Sequence, residues 1–174
     1  MRHMLWCIVL SLPLFPVASF TLPQSTSSSA TAACNFDKTK QVAIEYQRFA
    51  INVKKKILGD EIPYGKVWAP GGKPMTMFTN TPLTIGGKEV PVAAYTMFVI
   101  PEEKSWTLVI SKSTDTSGKY DEHDDLARIP MEVGKLPSPE SQFSVYLAHI
   151  AATQCNMRLD LDKTRAWVTI EEKK

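Results

Sequence analysis

The sequence lacks the motifs that mark the common classes of enzyme and has only three cysteines and three histidines. No G-x-S-x-G nucleophile elbow, phosphate-binding loop, H-E-x-x-H metal motif or dinucleotide fingerprint occurs. A basic excess is also missing, because 20 Lys and Arg residues stand against 18 Asp and Glu residues. Nucleic-acid-binding proteins usually carry a strongly basic face, so this balance argues against that class. We therefore predict no cofactor and no nucleic-acid partner.

One long apolar run lies at the amino terminus, and it is too short to span a bilayer comfortably. A short basic segment precedes it, Pro13 and Pro16 interrupt it, and Val17-Ala18-Ser19 supplies the small residues that a signal peptidase recognises. We therefore predict a signal peptide over residues 1–19 and an exported, periplasmic or extracellular protein. After cleavage, no stable membrane span is expected. A retained membrane anchor is the alternative.

The cysteines support export. Cys7 lies in the predicted signal peptide, which leaves Cys34 and Cys155 in the mature chain. Two cysteines in an oxidising compartment predict a disulfide. A lipidated Cys34 is the alternative, because small residues precede it. No metal site is predicted, since neither cysteine has another Cys or His at ligand spacing.

The rest of the chain predicts a flexible linker followed by one domain. Residues 20–36 are rich in Ser, Thr and Ala, which is typical of a linker. Residues 37–171 contain short runs of aromatic and β-branched residues, each interrupted by Gly, Pro or a polar turn. This pattern predicts an all-β fold, an antiparallel β-sandwich or flattened barrel of about 8–10 short strands.

Residues 138–151 fit either a helix or a strand. Ser138-Pro139-Glu140 could cap a helix, whereas Phe143, Val145 and Leu147 alternate as the inward residues of a strand. We predict a strand because the two segments that follow alternate clearly between apolar and polar residues.

An acidic run, Asp121-Glu122-His123-Asp124-Asp125, is the densest cluster of titratable residues. Asp121, His123 and Asp124 could supply an acid–base pair for hydrolysis. The run lacks the Asp/Asn spacing and the central glycine of a calcium loop. An exposed acidic loop is the simpler interpretation.

Aromatic and arginine residues form a second set of candidates. Tyr64 and Trp68 could stack against a sugar or peptide, although such residues also anchor β cores. Arg48 and Arg128 lie in apolar β segments, where a charge needs a ligand or a carboxylate such as Asp125.

Several segments of the chain resemble the sequences of a bacterial family of unknown function, DUF2911. The resemblance extends from about residue 44 to residue 170 and includes Pro63-Tyr64-Gly65-Lys66-Val67-Trp68, Gly86-Gly87-Lys88, and the strands at residues 95–101 and 106–112. It implies an exported or periplasmic protein and implies no particular activity. The chain departs from the family pattern after Trp68, where Ala69-Pro70-Gly71-Gly72 replaces an Arg and a Gly-Ala-Asn turn.

These observations favour a non-catalytic envelope or periplasmic binding protein, whose partner is a glycan, a peptide or another protein. A hydrolase that uses the acidic run is the alternative, and a purely structural envelope protein is the third hypothesis. The predicted binding residues are Arg48, Tyr64, Lys66, Trp68, Asp125 and Arg128.

Overall fold

The computed structural model describes residues 28–173, so the predicted signal peptide lies outside the described residues. The described residues form eleven strands joined in antiparallel pairs, and the predicted all-β fold is confirmed. The strands are β1 (Ser28–Asn35), β2 (Gln41–Arg48), β3 (Met75–Thr79), β4 (Leu83–Ile85), β5 (Lys88–Val90), β6 (Ala93–Pro101), β7 (Trp106–Ser111), β8 (Asp125–Lys135), β9 (Ser144–Ala151), β10 (Gln154–Leu161) and β11 (Thr164–Glu172). Within residues 28–173, we find no helix long and apolar enough to cross a bilayer.

The sheet curves into a barrel that is nearly closed. Its order is β1-β2-β3-β6-β7-β8-β11-β10-β9, and the short β4–β5 hairpin attaches to β11. The terminal strands β1 and β9 contact each other, but no hydrogen-bonded ladder joins these two described strands. We call this junction the seam. It is the place where the barrel depends on side chains rather than on backbone pairing.

The linker prediction for residues 20–36 is wrong over β1. Ser28–Asn35 pairs with β2 along its whole length, from Ser28 opposite Arg48 to Asn35 opposite Gln41. Ala30, Ala32 and Cys34 face the core, while the residues between them point outward. Inward and outward residues do alternate in β1, but the inward ones are too small to give the apolar pattern of an ordinary strand. The domain therefore includes β1, and residues 20–27 lie outside the described part.

The core fills the barrel from every strand. Trp106, Leu108 and Ile110 alternate inward from β7, as their spacing predicts. The ambiguous segment is a strand, and Phe143 and Val145 are buried while Leu147 packs against the core. The strand interpretation of residues 138–151 is therefore confirmed where β9 forms.

The predicted disulfide is present between Cys34 and Cys155, with 6.6 Å between the two Cα atoms. This separation lies within the usual range for a disulfide. Cys34 belongs to β1 and Cys155 to β10, which is the strand next to β9. The bond therefore links the two sides of the seam.

Candidate functional site

The outer face of β9, β10 and β11 carries a group of aromatic and cationic side chains around a shallow cavity. All of its members except Tyr146 line this cavity, and Tyr146 lies opposite Arg158 on the neighbouring strand. We call this group the Trp167 surface: Tyr146, Ile150, Asn156, Arg158, Arg165 and Trp167.

Strand alternation puts these residues outside. In β11, Ala166 and Val168 point into the core, so Arg165 and Trp167 point outward. The same two-residue period in β10 sends Arg158 outward. The apolar residues of these strands point into the core, and the polar and aromatic residues between them form the outer face.

Backbone register places three of these outer side chains, together with Glu132 of β8, in one line across the sheet. Tyr146 on β9 lies opposite Arg158 on β10, which lies opposite Trp167 on β11, which lies opposite Glu132 on β8. Neighbouring strands are about 4.8 Å apart, so adjacent members of the line can touch one ligand. The line presents an aromatic ring, a cation, a second ring and an anion in sequence.

The Trp167 ring rests against the backbone of Gly134. A Cβ atom added to Gly134 would lie 3.0 Å from Cζ3 and 3.2 Å from Cη2 of Trp167. A larger residue at position 134 would therefore push the ring away from the sheet. Because Gly134 has no side chain, the indole of Trp167 packs directly on the backbone of β8 and is half-buried.

The two arginines differ in their partners. Arg165 makes two hydrogen bonds to Asp160, from Nε to Oδ1 at 2.7 Å and from Nη2 to Oδ2 at 2.6 Å. These bonds raise the pKa of Arg165 and fix its guanidinium. Arg158 donates from Nε to Asn156 Oδ1 at 3.1 Å and makes no salt bridge with a carboxylate of the described residues. Arg158 therefore presents the less neutralised charge.

The cavity between these side chains has a volume of about 280 Å³. This volume is slightly below the range typical of small-molecule sites, and it suits one or two rings of a longer ligand. Tyr146 is 45% exposed and Ile150 is 51% exposed, so apolar surface continues beyond the cavity.

The predicted contact Trp68 lies elsewhere, in an aromatic cluster at one end of the barrel. Its ring meets Phe49, Trp106 and Phe143 at centroid distances of 6.2, 6.5 and 5.6 Å. Its backbone bridges Val99 on β6. This half-buried ring packs against the core, which accounts for its position without a ligand.

Asp125 and Arg128 meet on the outer face of β8. Arg128 Nε donates to Asp125 Oδ2 at 2.7 Å, and the hydroxyl of Tyr120 hydrogen-bonds to both residues. Tyr120 also packs on Phe98 at 5.1 Å, and burial raises the pKa of its hydroxyl. The carboxylate partner that we expected for Arg128 is therefore present, and it is Asp125.

The other three predicted contacts stand apart from this pair. Arg48 lies at the end of β2, where Nη2 is 3.4 Å from the Tyr46 hydroxyl. Tyr64 packs against Gly59, and Lys66 is exposed on the same loop. The six predicted residues do not line the cavity of the Trp167 surface, nor the cavities beside Tyr46, Asp37 and Val90. A ligand contact at these positions stays a prediction.

The acidic run forms a solvent-exposed turn around a short 3-10 helix, Glu122–Asp124. Asp121 accepts hydrogen bonds from the backbone and the ring of His123, at 3.0 and 2.8 Å. The hydrogen bond from the His123 backbone is the main reason for the lowered pKa of Asp121, and the bond to Asp121 raises the pKa of His123. The His123 side chain is 88% exposed. Asp121 and His123 form an acid–base pair on an open turn, and neither residue lines the cavity of the Trp167 surface.

The sequence did carry a signal for the Trp167 surface. Trp167 stands on the polar side of an amphipathic strand, between Arg165 and Thr169. A large aromatic residue on that side points to a contact surface rather than to a core. The partners Tyr146 and Arg158 could not be assigned to it, because cross-strand register is not visible in one sequence.

A family model described as "Protein of unknown function (DUF2911)" matches residues 27–170, which is most of the chain. No curated protein and no solved structure matches the chain significantly.

Proposed function

The chain belongs to the DUF2911 family of proteins of unknown function, and we propose that it is an exported, non-catalytic protein that binds acidic glycans. The observation that carries the proposal is the line of Tyr146, Arg158, Trp167 and Glu132 across the outer sheet face. The binding site is the Trp167 surface.

The side chains match the chemistry of a sugar acid. The apolar face of a pyranose ring packs on an exposed indole or phenol ring. A carboxylate on the same sugar is complementary to the guanidinium of Arg158. Asn156 and Glu132 offer further polar groups to the hydroxyls. The rigid pair Arg165–Asp160 holds one wall of the cavity in place.

Rigidity favours binding at this site. The surface lies on three adjacent strands rather than on loops, so little conformational entropy is lost when a ligand docks. A hydrolase would instead need two titratable groups that face one substrate atom in a cleft. The exposure of Asp121 and His123 on an open turn supports a binding function over a hydrolase.

Export fits the same proposal. The apolar amino terminus is typical of a signal peptide, and the Cys34–Cys155 disulfide is weakly in favour of an oxidising compartment. A glycan or another envelope component would be accessible to the protein there.

A Trp167→Ala variant should lose about tenfold in affinity for acidic oligosaccharides, because an aromatic contact contributes up to about 1.5 kcal/mol beyond the area it buries, and about 1.4 kcal/mol corresponds to a factor of ten. The measurement is a glycan array that contains uronate oligomers and their neutral counterparts, followed by calorimetric titration of the best binder. Arg158→Gln should lose binding to the acidic sugars selectively.

Phe78→Ala is the matched control, since Phe78 is an exposed aromatic residue (43%) on a strand of the opposite part of the sheet. It should bind as the native protein does. Equal binding by the native protein and Trp167→Ala would overturn the proposed site. A preference for neutral sugars would overturn the proposed ligand class.

A further inference from the structure

The imidazole of His149 lies against both sulfur atoms of the disulfide. Its Nδ1 is 3.6 Å from Cys155 Sγ and 3.9 Å from Cys34 Sγ, and its Nε2 is 3.6 Å from Cys34 Sγ. One ligand atom from each residue lies within 4.8 Å of the other two. The fold creates this group, since Cys34 stands 115 residues before His149.

The two distances from His149 Nδ1 to the sulfur atoms suit a tetrahedral metal centre. With Zn–S bonds of about 2.3 Å and Zn–N bonds of about 2.0 Å, a sulfur and a nitrogen ligand lie roughly 3.5 Å apart. The two separations from Nδ1 are close to that value. Thiolate and imidazole are also the ligand types that Zn²⁺ prefers in proteins.

We propose that Cys34, Cys155 and His149 form a redox-dependent zinc site. In the oxidised protein the two sulfurs are bonded to each other, and the site cannot form. In the reduced protein the two thiolates and His149 Nδ1 bind one Zn²⁺. The fourth position faces solvent, because His149 is exposed while both cysteines are buried.

The chemistry balances in two steps. A dithiol reductant exchanges with the disulfide; it is oxidised to its own disulfide and gives two electrons and two protons to the sulfurs of Cys34 and Cys155. Zn²⁺ then binds the two sulfurs and displaces those two protons to solvent.

The position of the site at the seam makes the change mechanically feasible. Reduction must let the sulfurs separate to roughly 3.8 Å, the distance between two ligands of one tetrahedral zinc. Cys34 is carried by β1, which is hydrogen-bonded on one side only, to β2. A small outward shift of β1 therefore breaks no ladder. The metal would then replace the covalent bond as the link across the seam.

The test uses the full chain with Cys7→Ser, so that Cys34 and Cys155 are its only cysteines. The protein is reduced with a phosphine, freed of it without oxygen, and titrated with Co²⁺ and then with Zn²⁺. We expect one Co²⁺ per chain with thiolate charge-transfer absorption, displaced by Zn²⁺. The oxidised protein should give no such absorption.

His149→Ala should weaken metal binding by at least about tenfold, since one ligand of three is lost. His123→Ala is the matched control, because it removes an exposed histidine that lies outside the cluster; it should bind as the parent does. Circular dichroism reports folding throughout. If reduction unfolds the chain, Zn²⁺ should restore the fold of the parent and not of His149→Ala.

The proposal is overturned if the reduced, folded parent binds no metal, or if His149→Ala and the parent bind equally. It is also overturned if the reduced chain unfolds and Zn²⁺ does not restore it. Absorption of equal strength in the oxidised protein would place the metal elsewhere and would reject this site.

Discussion

A variant with Cys34→Ala and Cys155→Ala should have a free energy of unfolding about 5 kcal/mol lower than the native protein. The bond joins residues 121 positions apart, and a cross-link over a loop of that length restricts the unfolded chain by about this amount in the chain-entropy model. Alanine is chosen because both sites are buried and a serine hydroxyl would lack a partner there. Urea unfolding followed by tryptophan fluorescence, with a metal chelator present, measures the loss.

Adding a reductant to both proteins provides a control for the effect of removing the disulfide. A reductant added to native protein should lower its stability toward that of the variant, whereas the variant itself should not respond. A difference below about 1 kcal/mol between the two proteins would mean that the seam is held by side-chain packing alone.

Phe143→Ala should cost about 3–5 kcal/mol, the range for removing a buried aromatic side chain. Phe143 is 0% exposed and meets three rings, Tyr46, Phe49 and Trp68, at 5.9, 5.4 and 5.6 Å. It is the centre of the aromatic cluster that fills one end of the barrel, so its loss leaves a cavity that the rigid strands around it cannot close.

Phe78→Ala removes the same side chain from an exposed position and should cost less than about 1 kcal/mol. Thermal unfolding of both variants gives the comparison. Similar losses at the two positions would contradict the assignment of Phe143 to the core.

The strand pattern predicted most of the fold because alternation is a local property. The inward residues of β7, Trp106, Leu108 and Ile110, could be predicted from the sequence within that segment alone. The strand at residues 28–35 could not be predicted in this way, because its inward residues are Ala and Cys and the segment has the composition of a linker. Its existence depends on the partner β2, which the local sequence does not reveal.

The site was harder to predict than the fold. The pairing of Cys34 with Cys155 followed from the predicted compartment and a count of two cysteines. The contact of the disulfide with His149 could not be predicted from the sequence. Its three residues lie on three different strands, β1, β9 and β10, so their spacing along the chain does not show that they meet. The line through Trp167 also depends on strand register, which a single sequence does not reveal. Trp68, which was predicted to stack against a ligand, packs in the aromatic cluster with Phe49, Trp106 and Phe143.

The departure of this chain from the family pattern also has a structural counterpart. Gly71, in the segment that follows Trp68, has a φ of +75°, and a Cβ there would lie 2.8 Å from Cβ of Gln47. Glycine is required for this conformation and this close approach. The turn thereby packs tightly against the end of β2, next to Phe49.

The most direct test of the proposed binding surface is nuclear magnetic resonance of ¹⁵N-labelled protein titrated with a uronate oligosaccharide. The indole N–H signals are assigned with Trp68→Phe, Trp106→Phe and Trp167→Phe. We predict that the Trp167 indole and the Arg158 Nε–H signals shift with ligand, while the signal of buried Trp106 stays in place. Shifts at the Trp68 indole without shifts at Trp167 would contradict the account and return the site to the residues around Trp68.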